Sequence, residues 1–145
     1  MSSLASVPAD PVRLAKRELR AECRRRREAL GEGYRSQASQ QICERIAAWE
    51  PLLSARVVFA YLPMRGEVDL RPLIAQARQV VWAIPRVVDA PSRHLVFHPY
   101  QPDRLVRHRY GMLEPDPKLP EIALDRADLI IVPGLAYTRS GYRLG

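Results

Sequence analysis

The first fifty residues carry apolar positions at helical spacing. In the first segment Asp10-Pro11 has the form of an N-cap followed by the first helical residue, and the pattern runs until Gly31 and Gly33 interrupt it. The apolar positions of this segment are Ala15, Leu19, Cys23 and Leu30. A second segment with the same period ends before Pro51, because the residue that precedes a proline is pushed out of the helical region. Its apolar positions are Ala38, Ile42, Ile46 and Trp49. The sequence therefore predicts two helices ahead of the first strand.

Beyond residue 55 the pattern changes to short, continuous apolar runs. Residues 57–62 (VVFAYL), 80–84 (VVWAI) and 128–133 (DLIIVP) each predict a strand that is buried on both faces. Asp69 is placed to cap a short helix between the first two runs, so strand, helix and strand form a parallel βαβ unit with a right-handed crossover. Residues 94–100 (HLVFHPY) alternate better than these runs and predict a strand with one wetter face.

The remaining segments predict little regular structure. Residues 101–124 are rich in Pro, Asp and Arg and predict a loop, with room for a helical turn at 120–124. Residues 134–145 predict a turn-rich segment that leaves the carboxyl end of the last strand. We classify the fold as α/β with three layers, in which a mostly parallel sheet is flanked by helices and is incomplete at its C-terminus. In such sheets the ligand crevice lies outside the carboxyl ends of the strands.

Composition and charge narrow the class of protein. The 145 residues are 47% hydrophobic and carry a net charge of +7, and because Lys16 and Lys118 are the only lysines, arginine supplies nearly all of the positive charge. Arginine favours phosphate and carboxylate partners. No apolar run approaches the roughly 20 residues of a membrane-spanning helix, and the first ten residues lack the features of a signal peptide. Cys23 and Cys43 lie outside any CxxC spacing, which suits free thiols in the cytoplasm.

The first helix carries a basic stripe made of Lys16, Arg20, Arg24 and Arg27. At roughly 100° per residue these side chains fall on one narrow face beside the apolar positions. Such a stripe is typical of a solvated helix face, of a nucleic-acid-binding surface, or of a clamp for a small phosphate ligand. Charge alone leaves these three interpretations open.

Two acids follow the first buried strand in the turn PMRGEVD. Asp69 is best explained as a helix cap. Glu67 is either a surface acid or a carboxylate suited to accept paired N–H donors from a heterocycle, since Gly66 permits a close approach of the backbone.

Other candidate residues carry weaker signals. The loop over 133–145 has three glycines together with Arg139 and Arg143, so its backbone amides are suited to meet an anion. Of the three histidines, His94 and His98 could share a strand face and predict hydrogen-bonded surface groups rather than metal ligands, and His108 does not complete a metal site with them. Four aromatic residues lie in apolar periods and predict core positions: Trp49, Phe59, Tyr61 and Trp82.

Four segments, in the same order, resemble the 5-formyltetrahydrofolate cyclo-ligase family, whose members are also called methenyltetrahydrofolate synthetases. These segments are KRELR at 16–20, FAYLPMRGEVD at 59–69, YGMLEP at 110–115 and DLIIVPGLAYTRSGYRLG at 128–145. The resemblance covers residue 13 to the last residue, and it implies the three-layer α/β fold that the periodicity also predicts.

The resemblance implies ATP-dependent closure of 5-formyltetrahydrofolate to 5,10-methenyltetrahydrofolate with release of ADP and phosphate. The formamide oxygen is phosphorylated first, and the anilinic nitrogen then attacks the activated carbon. This chemistry calls for cations and Mg²⁺ around the phosphates rather than for a nucleophilic side chain. The residues implied to bind ATP are Lys16, Arg17, Glu18, Leu19, Arg20, Arg143, Leu144 and Gly145. The residues implied to bind the folate are Leu62, Glu67 and Tyr110.

The sequence departs from the family after RLG. In the family a glycine-rich segment with a tyrosine pair and an aspartate follows, and a metal-binding acid comes later. We therefore expect a C-terminally truncated member: a disordered extension over 1–12, a single domain over 13–145, no metal ligand in this chain, weak ATP binding and poor turnover.

The partner implied by the resemblance is a reduced folate, and we expect a cytoplasmic monomer that binds neither membrane nor nucleic acid. Two alternatives are a small basic RNA-binding module and a non-catalytic remnant of the enzyme. The basic stripe lacks the interleaved aromatic residues on which bases stack, so the RNA-binding alternative is the weaker one.

Overall fold

The computed structural model describes residues 10–89, 94–109 and 111–145. Contacts divide the chain into two compact units, one made of the residues up to Leu30 with Gly134–Gly145 and the other of Gly31–Pro133. In chain order the elements are α1 (Pro11–Ala29), α2 (Glu32–Ala47), α3 (Glu50–Leu53), β1 (Val57–Phe59), α4 (Arg71–Gln76), β2 (Val81–Asp89), β3 (His94–Pro99), β4 (Leu105–Arg107), β5 (Leu113–Pro115), β6 (Leu129–Ile130), β7 (Ala136–Tyr137) and β8 (Arg143–Leu144). None of the described helices has both the length and the apolar composition needed to cross a bilayer.

The first unit consists of α1 and the β7–β8 hairpin. The predicted start of α1 is confirmed, because the Asp10 carboxylate accepts a hydrogen bond from the Val12 N–H at 3.0 Å and Pro11 occupies the first turn. Residues 10–12 therefore belong to the helix terminus, and the predicted disordered extension stays a prediction for residues 1–9. The apolar positions of α1 are not core positions, since no residue of this helix is buried and Leu19 is 52% exposed.

The hairpin occupies part of the segment that was predicted to be turn-rich. Ala136 pairs with Leu144 and Tyr137 pairs with Arg143 in antiparallel register. A Cβ at Gly134 would lie 2.6 Å from the Tyr137 hydroxyl oxygen, so a side chain at that position would displace the exposed Tyr137 ring. The prediction of one domain over 13–145 stays a prediction.

In the second unit the three residues that were predicted to interrupt helices lie at helix starts. Gly31 is the N-cap of α2, which places Gly33 inside the first turn of that helix. Pro51 lies in the first turn of α3, where its missing N–H costs no hydrogen bond. Because α2 ends at Ala47, Trp49 no longer follows the period of that helix. Its predicted core position is wrong: Trp49 is the N-cap of α3 and is 50% exposed.

A four-stranded mixed sheet with the order β3-β2-β1-β6 organises this unit. The predicted βαβ unit is confirmed, because α4 connects β1 to β2 and these two strands are parallel. Strand β6 also runs parallel to β1, whereas β3 is antiparallel to β2. The predicted α/β class is therefore confirmed, with β3 as the antiparallel strand of the sheet.

The core lies between the sheet and the helices α2, α3 and α4. Its buried members include Cys43 of α2, Leu52 of α3, Val58 of β1, Leu73 of α4 and Ile84 of β2. Two predicted core aromatics are confirmed. Phe59 is fully buried and stacks on Phe97 with the ring centroids 4.3 Å apart, and Trp82 is buried and donates from Nε1 to the Ala77 carbonyl at 3.1 Å. Tyr61 is half-buried and its hydroxyl donates to the Val68 carbonyl at 3.0 Å.

The strand β6 differs from its prediction. Residues 128–133 were expected to be buried on both faces, but Ile130 is 54% exposed and Leu129 is half-buried. Over the described ranges β6 pairs only with β1, so it forms an edge of the sheet. The Asp128 side chain joins the start of β6 to the start of β1, because its Oδ2 accepts hydrogen bonds from the N–H groups of Arg56 and Val57 at 2.9 Å each.

The segment predicted as a loop over 101–124 contains the antiparallel hairpin of β4 and β5. Each strand has only three residues, which is too short for a readable alternation. The helical turn predicted at 120–124 is displaced, since the 3-10 turn at this end of the segment covers Leu124–Arg126.

Candidate active site

A cavity of about 800 Å³ lies in the second unit, where β1 ends. Its walls come from the segment after β1, from the second half of β2 and from the β4–β5 hairpin. Leu62 and Glu67, which were predicted to bind substrate, both line it, and Tyr61 and Tyr100 add aromatic surface. The position agrees with the crevice expected outside the carboxyl end of a parallel strand.

The turn after β1 holds the carboxylate of Glu67 in place. The Glu67 N–H donates to the Met64 carbonyl at 3.0 Å, and the Met64 N–H donates to Glu67 Oε2 at 3.0 Å. Arg65 and Gly66 connect these residues with φ values of +46° and +74°. A left-handed conformation at a residue other than glycine costs about 1–3 kcal/mol and is concentrated at functional sites. Glu67 is therefore a half-buried and preorganised acid with one oxygen bound to its own turn.

Asp69 has the structural role that the sequence predicted. Its Oδ1 accepts from the Arg71 N–H at 3.0 Å at the start of α4, although the N-cap position itself is Leu70. The Arg71 guanidinium binds the same carboxylate, with Nη2 at 2.6 Å from Oδ2, and this contact holds the pKa of Asp69 below its ordinary value of 3.8. Ser39 Oγ accepts from the Asp69 N–H at 3.1 Å, which ties α2 to this segment. Asp69 thus anchors the start of α4 from the residue that precedes its N-cap.

The residues predicted to bind the nucleotide belong to the first unit. Lys16, Arg17, Glu18 and Leu19 are exposed on α1, and Arg20 is half-buried. Exposed cations on one helix can reach a phosphate ligand without desolvation of a buried charge.

Two of these predicted residues are brought together by a hydrogen bond. Arg20 Nε donates to the main-chain oxygen of Gly145 at 2.6 Å, so the helix and the end of the hairpin meet at that point. Leu144 lies in the hairpin, where its carbonyl accepts from the Leu135 N–H at 2.7 Å. Arg143 lies beside it in β8, opposite Tyr137 of β7.

The histidines show one error in the sequence prediction. His98 was predicted to be a surface group, but it is fully buried on β3. Its Nδ1 lies 2.9 Å from the Leu119 carbonyl, and Arg86 Nε donates to its Nε2 at 3.3 Å. Nδ1 therefore ties β3 to the segment after β5, and Nε2 ties it to Arg86 of the neighbouring strand β2. Tyr110, the third residue predicted to bind folate, lies outside the described residues.

The described part of the chain contains no group of three or more His, Cys, Asp or Glu side chains that could hold a metal ion. Magnesium prefers oxygen ligands in an octahedral arrangement. The described residues do not fit a Mg²⁺ ion held by protein side chains.

Sequence reasoning missed Glu114. This residue lies on β5, is 5% exposed and lines the cavity. Its Oε1 accepts from the Val87 N–H at 3.0 Å. The signal that could have found it is an acid inside the otherwise apolar run from Met112 to Pro115, because an acid is rarely buried unless it is paired.

Comparison with known proteins gives a consistent picture. Residues 12–145 match the 5-formyltetrahydrofolate cyclo-ligase family. The 5-formyltetrahydrofolate cyclo-ligase of Escherichia coli K12 is 32% identical over 130 residues, which cover 84% of this chain and 69% of the relative. The protein of the same name from Mycolicibacterium smegmatis is 35% identical over 106 residues, which cover 64% of this chain and 51% of the relative.

Solved structures show the same fold. The NMR structure of Aquifex aeolicus 5,10-methenyltetrahydrofolate synthetase matches with a TM-score of 0.80 and 28% identity, over 90% of this chain and 66% of that one. The 5,10-methenyltetrahydrofolate synthetase of Mycoplasma pneumoniae shares the fold, with a TM-score of 0.67 and 18% identity over 90% of this chain and 70% of that one. This chain therefore spans about two thirds of the length of these two structures.

Proposed function

Because the chain belongs to the 5-formyltetrahydrofolate cyclo-ligase family, we propose that it catalyses the ATP-dependent closure of 5-formyltetrahydrofolate to 5,10-methenyltetrahydrofolate, with release of ADP and phosphate. The observation that carries this proposal is the cavity at the end of β1. It is lined by Leu62 and Glu67, the residues that the family resemblance assigns to the folate. Its volume of about 800 Å³ lies within the roughly 300–1,000 Å³ range of pockets for ligands of this size.

The cavity suits both the polar edge and the flat faces of a reduced pterin. The ring presents N–H donors along its edge, and Glu67 is a preorganised acceptor for a pair of them. Leu62, Tyr61 and Tyr100 provide apolar and aromatic surface for the ring faces. Tyr110 is proposed to stack on the folate.

The nucleotide is proposed to bind at α1 and the β7–β8 hairpin of the first unit. ATP supplies the phosphoryl group that converts the formamide oxygen into a leaving group, and the anilinic nitrogen of the folate then closes the ring. Lys16, Arg20 and Arg143 would hold the phosphates, since guanidinium and ammonium groups bind phosphate oxygens through charge-assisted hydrogen bonds. The Arg20–Gly145 hydrogen bond supports this arrangement because it joins the helix to the hairpin.

The same two elements supply the other residues of the proposed nucleotide site. Arg17, Glu18 and Leu19 belong to the α1 segment, and Leu144 and Gly145 to the end of the hairpin. Because the described residues offer no cluster of metal ligands, no step is assigned to Mg²⁺.

The proposal includes a cytoplasmic location. Cys23 and Cys43 are both free thiols in the structure, as the sequence predicted, and free thiols are typical of a reducing compartment. The monomeric state stays a prediction.

The test is the absorbance of methenyltetrahydrofolate formed from 5-formyltetrahydrofolate by the full chain. We expect product only when ATP is present. Lys16→Ala should raise the KM for ATP by about tenfold, because one charge-assisted contact is worth about 1.5 kcal/mol, and it should leave the folate affinity within about twofold. A chain that neither binds the reduced folate nor forms the product with ATP would contradict the proposal.

A further inference from the structure

We propose that Glu114 is a second carboxylate that binds the reduced pterin, and that it selects the reduced ring by accepting a hydrogen bond from the N8–H. The inference rests on the proposed function, because it takes the occupant of the cavity to be a reduced folate. It adds a residue for which the resemblance implies no role.

The burial of Glu114 is the first observation. The buried polar side chains of the described residues are Ser39, His98 and Glu114. Ser39 accepts a hydrogen bond from the Asp69 N–H, and His98 uses both ring nitrogens. The partner of Glu114 over the described ranges is the Val87 N–H, and no ion pair there involves this carboxylate. Because Glu114 lines the cavity and one of its oxygens is already bound to the backbone, its remaining acceptor sites can receive hydrogen bonds from a ligand.

The position of Glu114 follows from the strand pairing. The Val81 N–H donates to the Arg56 carbonyl and the Ala83 carbonyl accepts from the Ala60 N–H, so the odd-numbered residues of β2 direct these groups toward β1. The strand β1 ends opposite Ala83. Beyond that point Pro85 has no N–H, and the N–H of Val87 is met by Glu114. Beyond the end of β1, Glu114 therefore replaces a neighbouring strand as the hydrogen-bond acceptor for β2, and it does so beside the cavity.

Glu67 and Glu114 are anchored in the same way. Each lines the cavity and uses one carboxylate oxygen to accept a backbone N–H at 3.0 Å, from Met64 and from Val87 respectively. An ionised carboxylate has about four acceptor sites, so each side chain keeps acceptor capacity for a ligand. The two carboxylates are fixed by different segments, one by the turn after β1 and the other by β5.

The donors of a tetrahydropterin match two acceptors better than one. N3–H and the 2-amino group lie side by side and can be bound by one carboxylate in bidentate fashion. N8–H lies on another part of the edge and needs an acceptor of its own, and Glu114 is the second carboxylate among the residues that line the cavity. Burying an N–H group without a hydrogen-bond acceptor weakens binding by the free-energy cost of its lost contact with water.

The N8 atom differs between the reduced and the oxidised pterin ring. In a fully oxidised pterin N8 carries no hydrogen and is itself an acceptor, so its lone pair would oppose the carboxylate of Glu114. A site built to accept an N–H rejects an analogue that lacks it much more strongly than an apolar pocket does. Glu114 thus acts as a specificity-determining residue for the reduced ring.

The experiment measures the affinities of the full chain for 5-formyltetrahydrofolate and for folic acid by calorimetry, and compares their ratio between variants. In Glu114→Gln the amide oxygen still accepts from Val87, while the amide nitrogen can donate to an oxidised N8. We expect the preference for the reduced ligand to fall by at least about tenfold. The matched control is Glu121→Gln, which removes the same charge from an exposed residue outside the cavity lining and should leave the ratio unchanged.

The outcomes separate this inference from the proposed function. If the unsubstituted chain binds 5-formyltetrahydrofolate and Glu114→Gln lowers both affinities equally or neither, the inference is overturned and the proposed function stands. If the unsubstituted chain does not bind the reduced folate, both fail. Should Glu114→Gln not fold, the side-chain carboxyl carbon resonance of Glu114 in the unsubstituted protein provides the test: it shifts on binding of 5-formyltetrahydrofolate if this carboxylate contacts the ring, and an unchanged resonance overturns the inference.

Discussion

Replacing Glu67 with glutamine removes the negative charge from the cavity and changes little else. In Glu67→Gln the side chain keeps an oxygen that can accept from the Met64 N–H, which lies 3.0 Å from Oε2 of the glutamate. The backbone hydrogen bond from the Glu67 N–H to the Met64 carbonyl and the left-handed conformations of Arg65 and Gly66 do not depend on the charge. The substitution therefore tests ligand binding rather than the shape of the turn.

The expected loss follows from the hydrogen bonds. A hydrogen bond to a charged group contributes about 1.5–3 kcal/mol and a neutral one about 0.5–1.5 kcal/mol. Two donors of the pterin are proposed to bind the Glu67 carboxylate, and after the substitution the amide nitrogen would face one of them. We expect the affinity for 5-formyltetrahydrofolate to weaken by about 2–3 kcal/mol, which is about 30- to 150-fold. The free energy of unfolding should change by less than about 1 kcal/mol, because a half-buried acceptor is replaced by another acceptor.

Calorimetric titration with 5-formyltetrahydrofolate gives the affinity, and urea unfolding followed by circular dichroism gives the stability. Glu121→Gln again serves as the control for a change of net charge. An affinity within about threefold of the unsubstituted protein, with unchanged stability, would refute the assignment of Glu67 to the pterin. A large loss of stability would show instead that the carboxylate mainly holds the turn.

Three further predictions concern stability and reactivity. Leu73→Ala, at a fully buried position of α4, should lower the free energy of unfolding by about 3–4 kcal/mol in urea titrations, since the lost contacts leave a cavity in the core. Arg71 holds the pKa of Asp69 below 3.8, so this carboxylate stabilises the fold above that pH and its contribution is lost as the pH falls through the lower folded-state pKa. The difference in Tm between the unsubstituted protein and Asp69→Asn should therefore shrink on acidification below about pH 4, and a difference that is constant with pH would contradict this. Burial raises the pKa of the Cys43 thiol, so a disulfide reagent should react first with the half-buried Cys23, and Cys23→Ser should remove the fast phase.

The sequence by itself determined the local elements and the identity of the family. Asp10 and Pro11 mark the start of α1 because a cap acts within one turn, and the apolar runs around Val58 and Trp82 specify strands that are buried. The acid Glu67 could be placed at the end of a parallel strand for the same reason, since the βαβ pattern is local in sequence. The four family motifs need no structure to be read.

Only the tertiary structure decided which residues are buried from solvent. Ile130 is exposed because it lies on the opposite face of the edge strand β6 from Leu129 and Ile131, which pack against the core. Trp49 is exposed because the preceding helix ends early. His98 and Glu114 are buried because distant segments fold over them, Leu119 in one case and Val87 in the other. A polar residue in a short strand can be read correctly only when its partner is known, since burial depends on contacts between residues far apart in sequence. Periodicity and capping act over a few residues and carry no information about those contacts.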